Sequence, residues 1–145
     1  MKIAKQFHWE MGHRLPFHKE LCANIHGHSY RMWVELEGGL DPNGMLLDYG
    51  ILKEKVKPII DEIDHAFMCD ENDDVMKQFL AGSDFKHVMV SFTTTAEHIS
   101  EYLIRKIWFA LQGYTNLSRI TVRIHETETA MAETSLTREE FQKVV

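Results

Sequence analysis

The spacing of hydrophobic positions changes along the chain, and that spacing is the first guide to its elements. Phe7, Trp9, Met11 and His13 alternate with His8, Glu10 and Gly12, the period-2 pattern of a strand with one apolar face, which His13 ends. Beyond a loop containing Pro16 and Cys22, a second alternating run sets His26, His28, Tyr30, Met32, Val34 and Leu36 on one face. Gly27, Ser29, Arg31, Trp33, Glu35 and Glu37 take the other. Gly38-Gly39 and Asp41-Pro42-Asn43-Gly44 are dense turn chemistry and close this strand. From Asp48, read as an N-cap, the period becomes helical through Leu52, Val56, Ile59, Ile60 and Ile63, with a bend expected at Pro58.

A polar loop at Asp70–Asp74, a short helix near Asp74–Leu80 and an extended run at His87–Phe92 follow. Thr94-x-x-Glu97 reads as a capping box for an amphipathic helix through Ile99, Leu103, Ile107, Ala110 and Leu111, ended by Gly113. Ile120, Val122, Ile124 and Glu126 then alternate with Arg119, Thr121, Arg123 and His125 as a further strand, and a last strand is expected through Ala130. Strands and helices segregated in this order predict an α+β fold. The helices cover the face of Tyr30, Met32, Val34, Ile120, Val122 and Ile124, and the other face is polar apart from Trp33.

Length and composition bound this picture. The 145 residues, 44% hydrophobic and 26% charged, suit one globular domain, 1–145, without repeats or linkers. A net charge of −6 argues against nucleic acid, no apolar run is long enough for a membrane span, and a charged N-terminus with two cysteines suits a cytoplasmic protein. The acidity is local. Residues 61–74 carry seven carboxylates and no Lys or Arg, which leaves the rest of the chain at +1. Across 1–31, Lys2, Lys5, Arg14, Lys19 and Arg31 outnumber Glu10 and Glu20, so a small polyanion remains an acceptable ligand.

The candidate chemistry lies in that basic segment. His26 and His28, at i and i+2 on one strand face, have Cα atoms about 6–7 Å apart and can converge on one ion. His13 ends the same face of a strand expected to be the antiparallel neighbour, so three imidazoles meet at one end of the sheet. Three imidazoles with the fourth tetrahedral position open describe a catalytic zinc. Cys22 is either the fourth ligand, which makes the site structural, or a base whose thiol pKa a nearby cation lowers. Asp64-His65 is either an oriented proton-transfer pair or a His at a helix C-terminus. Glu126 continues an apolar strand face, where a carboxylate either reaches an exposed end or accepts paired N–H donors from a planar heterocycle.

These residues resemble a known family, the 6-pyruvoyl-tetrahydropterin and 6-carboxy-tetrahydropterin synthases. The resemblance runs in order through Phe7 with Gly12-His13-Arg14-Leu15, Cys22-Ala23-Asn24-Ile25-His26-Gly27-His28-Ser29-Tyr30, and Gly44-Met45 with Asp48-Tyr49. It continues through Ile63-Asp64-His65, Thr95-Ala96-Glu97 and Glu126-Thr127. It implies Zn²⁺ ligands at His13, His26 and His28, a catalytic thiol at Cys22 rather than a ligand, and a proton-relaying pair at Asp64 and His65. It also implies substrate contacts at Glu126, which would anchor the pterin, and Thr95. The implied fold is the tunnelling fold, ββααββ, a four-stranded antiparallel sheet with two helices on one face, assembled as a homohexamer of two trimers. The implied substrate is 7,8-dihydroneopterin triphosphate, and the common bacterial branch yields 6-carboxy-tetrahydropterin. Thr94 stands where the family usually has Pro, Thr134 near a frequent Tyr, and Met68-Cys69-Asp70 replaces a common Leu-Asn.

Overall fold

The computed structural model describes residues 1–144. Among these, a six-stranded sheet has the order β4-β3-β1-β2-β5-β6. Its antiparallel part is β1 (Lys2–His13), β2 (His26–Gly38), β5 (Leu117–His125) and β6 (Met131–Thr137), the four strands expected. Two short strands extend it: β3 (Ala66–Asp70), not anticipated, runs parallel to β1, and β4 (His87–Val90), within the extended run expected at His87–Phe92, runs parallel to β3. The β3 strand escapes a period-2 reading because it is buried on both faces, so Ala66, Met68 and Cys69 form an apolar run with no alternation.

Helices α1 (Tyr49–Ile63) and α3 (Ala96–Leu111) lie side by side over one sheet face. Leu52, Val56, Ile60 and Ile63 of α1 and Ile99, Leu103, Ile104, Ile107 and Trp108 of α3 are buried against Trp9, Tyr30, Met32, Val34, Ile120, Val122 and Ile124. The α1 helix begins as the spacing predicts, with Asp48 Oδ1 accepting from the Gly50 and Ile51 amides, and it runs through Pro58 without a break. A short α2 (Asp74–Ala81) is capped by Asp73, and α4 (Arg138–Gln142), absent from the sequence reading, starts at a capping box of Thr137 and Glu140.

Two boundaries differ from expectation. The N-cap of α3 is Thr95, whose hydroxyl accepts from the His98 amide, and not Thr94. Three consecutive threonines make the cap ambiguous by one residue, and the chain uses Thr94 elsewhere. The last strand does not run through Ala130 but starts after it, because residues 126–130 form the turn between β5 and β6, closed where the Ala130 amide donates to Thr127 Oγ1.

The β1–β2 register places the site. His13 pairs with His26 and Met11 with His28, so the three histidines project from adjacent antiparallel strands on the face that carries Trp9 and Tyr30. The Arg31–His125 pairing brings the residue after β5, Glu126, to the same end.

Candidate metal centre

His13 is 1% exposed, and His26 and His28 are half-buried. Their ring centroids lie 4.6 Å (His13–His26), 5.3 Å (His13–His28) and 5.0 Å (His26–His28) apart, and one nitrogen from each lies within 4.8 Å of the other two. Two of the rings are oriented by the backbone. His13 Nδ1 is 2.7 Å from the Thr94 carbonyl oxygen, and His26 Nδ1 is 2.8 Å from that of Asn24. A carbonyl only accepts, so each Nδ1 carries the proton and each Nε2 of the neutral ring is left with a lone pair, the arrangement that typifies metal-binding histidines. Burial is the largest influence on both His13 and His28 and lowers their pKa, which keeps them in the neutral, ligating form.

The His13 Nε2 atom is buried and has no hydrogen-bond partner. Facing it at 3.3 Å is Glu126 Oε1, which is also 3.5 Å from His28 Nε2 and accepts a 3.0 Å hydrogen bond from Tyr30 Oη. A lone pair opposed to a carboxylate is unfavourable unless a cation sits among them. The donor set therefore fits a divalent metal, and imidazole nitrogens with a carboxylate close by suit zinc. Glu126 also borders a polar cleft of about 450 Å³ with His8, Glu10, Ser29, Arg31 and Thr127.

Cys22 sits in a single 3₁₀ turn (Leu21–Ala23), half-buried and unpaired, and is not a member of the three-histidine cluster. Asp64 caps the C-terminus of α1. Its Oδ1 accepts from the Glu10 amide at 2.9 Å and lies 3.0 Å from His65 Nδ1. That amide, then the His65 ring, holds the Asp64 carboxyl below its ordinary pKa. His65 has φ 56°, a left-handed conformation that aims the imidazole into solvent. With Glu10, Gly12, Gly27 and Ser29 it lines a second cleft, on the polar face of the sheet. His28 borders this cleft as well, while neither Asp64 nor His65 is a member of the three-histidine cluster. The Thr95 hydroxyl is occupied as a helix cap. Sequence reasoning missed Thr94, which is 1% exposed and fixes His13 through its carbonyl. It also missed Tyr30 as the donor to Glu126, although Tyr30 shares the face of His26 and His28.

Fold and site together define a candidate metalloenzyme: an α+β scaffold whose strands converge three imidazoles on a position that a fourth group can enter. The chain matches the profile of the 6-pyruvoyl tetrahydropterin synthase family over residues 2–136, and it belongs to that family of lyases. It is 36% identical over 140 residues to a 6-carboxy-5,6,7,8-tetrahydropterin synthase of Haemophilus influenzae, covering 91% of this chain and 96% of that one. It is 31% identical over 158 residues to the synthase of that name from Aquifex aeolicus, with the same coverage. A 6-pyruvoyltetrahydropterin synthase of Plasmodium vivax superposes with a TM-score of 0.78 at 19% identity, covering 94% of this chain and 98% of that one. The tunnelling fold expected from the motifs is thus the fold of this chain, with β3 and β4 added to its four antiparallel strands.

Proposed function

We propose that this chain is a zinc enzyme converting 7,8-dihydroneopterin triphosphate and water to 6-carboxy-5,6,7,8-tetrahydropterin, acetaldehyde and triphosphate. The observation that carries the reading is the buried, partnerless His13 Nε2 among two further imidazoles and a carboxylate. The names of the relatives at 36% and 31% identity support the product. His13, His26 and His28 would hold the ion. When bound, it supplies Lewis acidity to the side-chain hydroxyls of the substrate and makes the neighbouring C–H bond more acidic.

The remaining chemistry belongs to the chain. The Cys22 thiolate removes the proton at carbon, since its loop leads directly into His26. Asp64 holds the His65 ring through Nδ1 and leaves Nε2 to pass protons as the ring is internally reduced. Glu126 accepts the adjacent N–H donors of the pterin, with one oxygen oriented by Tyr30. Neither Asp64 nor His65 belongs to the three-histidine cluster, and a second copy would complete the site in a homohexamer of two trimers. In that assembly the unpaired edge strands would find partners. Light scattering of the purified protein tests the assembly.

The test of function is product identification after incubating the zinc-loaded protein with dihydroneopterin triphosphate. Stoichiometric acetaldehyde with 6-carboxy-tetrahydropterin supports the proposal; 6-pyruvoyl-tetrahydropterin without acetaldehyde assigns the other branch of the family. A Cys22→Ala variant that retains zinc and the parent rate would remove Cys22 from catalysis. No turnover by the parent at all would leave a pterin-binding module.

A further inference from the structure

The loop from Arg14 to Ile25 carries Cys22 and has almost nothing apolar to hold it. The 3₁₀ turn buries no residue, and Phe17, Leu21 and Ile25 are 61%, 83% and 62% exposed. Its position is set by polar contacts instead. Within the loop, the Leu15 amide donates to the Cys22 carbonyl at 2.8 Å, and the Asn24 amide donates to Leu21. The tie to the body of the protein is Arg14. Its Nη1 donates to the carbonyl of Ala23, the residue after Cys22, at 3.2 Å. Its Nε and Nη2 donate to the two oxygens of Asp73 at 2.6 and 2.8 Å.

Asp73 is itself fixed: its side chain is 4% exposed, and it caps α2 by accepting from the Met76 amide. The planar guanidinium therefore connects the first turn of α2 to the backbone beside Cys22, with its donors divided between two acceptors that diverge. The same stretch is anchored on its other side, where Thr94 Oγ1 donates to the Arg14 carbonyl and the Thr94 carbonyl holds His13. On the far side of the turn, Asn24 holds His26. Residues 22–24 are thus registered against two of the three imidazoles.

We propose that Arg14, locked by Asp73, is a positioning residue that holds the Cys22 thiol at its working distance from the metal centre. The proposal rests on the catalytic reading of Cys22. A lysine at 14 reaches one acceptor but cannot bridge two. An asparagine at 73 keeps a good helix cap while removing the charge that locks Arg14. Arg14→Lys and Asp73→Asn are both expected to retain zinc affinity within about threefold. They are expected to lose about 10- to 100-fold in kcat at little changed KM, the scale of an ångström-level misplacement of a reacting group.

A second readout needs no turnover. The rate of Cys22 alkylation by iodoacetamide at pH 7 is compared in zinc-loaded and zinc-free protein. Cys69 is silent here, being 1% exposed with its thiol pushed up to about 11 by burial. A thiol held beside the cation responds to zinc loading, and the response is expected to collapse in both variants. The proposal is overturned if both variants match the parent within twofold in kcat and in that response. It is equally overturned if they only melt at lower temperature, or if they lose zinc tenfold or more. If Arg14→Lys fails to fold, Asp73→Asn decides. If the parent itself turns over no substrate, the functional reading fails and the alkylation contrast still judges Arg14.

Discussion

Replacing Tyr30 by Phe isolates one hydrogen bond at the proposed pterin anchor. Tyr30 is fully buried, and its ring stacks on Trp9 with centroids 5.1 Å apart and planes 6° from parallel. Phenylalanine keeps that packing. Desolvation by burial, then the Glu126 charge, raises the phenol pKa far above its usual 10, so the hydroxyl stays protonated and donates throughout the working range of pH. Its acceptor, Glu126 Oε1 at 3.0 Å, belongs to a side chain 25% exposed. A hydrogen bond to a charged group contributes about 1.5–3 kcal/mol, and partial access of water to Glu126 favours the low end, about 1.5 kcal/mol or roughly tenfold. Removing the oxygen leaves no unpaired buried group on residue 30, so global stability is expected to fall by no more than about the 1.5 kcal/mol of the bond itself.

The freed carboxylate then samples orientations that do not receive the substrate. Steady-state kinetics of Tyr30→Phe should show KM raised about tenfold with kcat within about threefold of the parent, since the reacting atoms are untouched. Zinc affinity, measured by chelator competition, should be unchanged within about threefold. Glu126→Gln is the necessary companion, expected to raise KM by more than the tyrosine variant because it removes the paired acceptor itself. A raised KM in Glu126→Gln with Tyr30→Phe within twofold of the parent would refute this role of Tyr30, for Glu126 would then be oriented by something else.

Three further outcomes follow from the same geometry. His13→Ala should lower zinc affinity more than about 100-fold by chelator competition, since losing even an outer-shell partner of a metal ligand costs 10- to 100-fold. Gly27→Ala should separate β1 from β2 at the His26–His28 segment, because a Cβ there would stand 2.9 Å from the Met11 carbonyl oxygen; zinc affinity and thermal stability are both expected to fall, with His26 and His28 intact. Asp73, held below its ordinary 3.8 chiefly by Arg14, contributes stability that is present above that value and is lost as pH falls through its lowered pKa; denaturant unfolding should therefore weaken below about pH 4 in the parent and less steeply in Asp73→Asn.

How much of this was legible in the sequence depended on whether one strand face meets solvent. In β1 and β2 one face is buried and the other largely exposed, so the alternation of Phe7, Trp9, Met11 and His13, or of Tyr30, Met32 and Val34, reports both element and orientation. That alternation alone sets three histidines separated in sequence on one face. The strand β3 gives no such signal, because both of its faces are covered, and β4 shows only as an extended run, since four residues are too few to report which face is buried. What parity cannot report is contact between groups far apart in sequence. Thr94 holding His13 spans 81 residues, and Arg14 holding Asp73 spans 59. The Asp64-His65 pair shows the same boundary from the other side. Its adjacency leaves open an oriented imidazole or a His at a helix C-terminus, and the structure has Asp64 capping α1 with its Oδ1 3.0 Å from His65 Nδ1. The cleft that His65 lines is bordered by residues of both parities, Glu10, Gly12, Gly27 and Ser29 together with Met11 and His28, so parity does not report how the pair lies relative to the three imidazoles. If a second copy supplies the pair to the metal centre, as proposed, assembly becomes a condition of catalysis. Dilution below the dissociation point of the oligomer should then abolish turnover while leaving zinc bound, because all three imidazoles come from two adjacent strands of one chain.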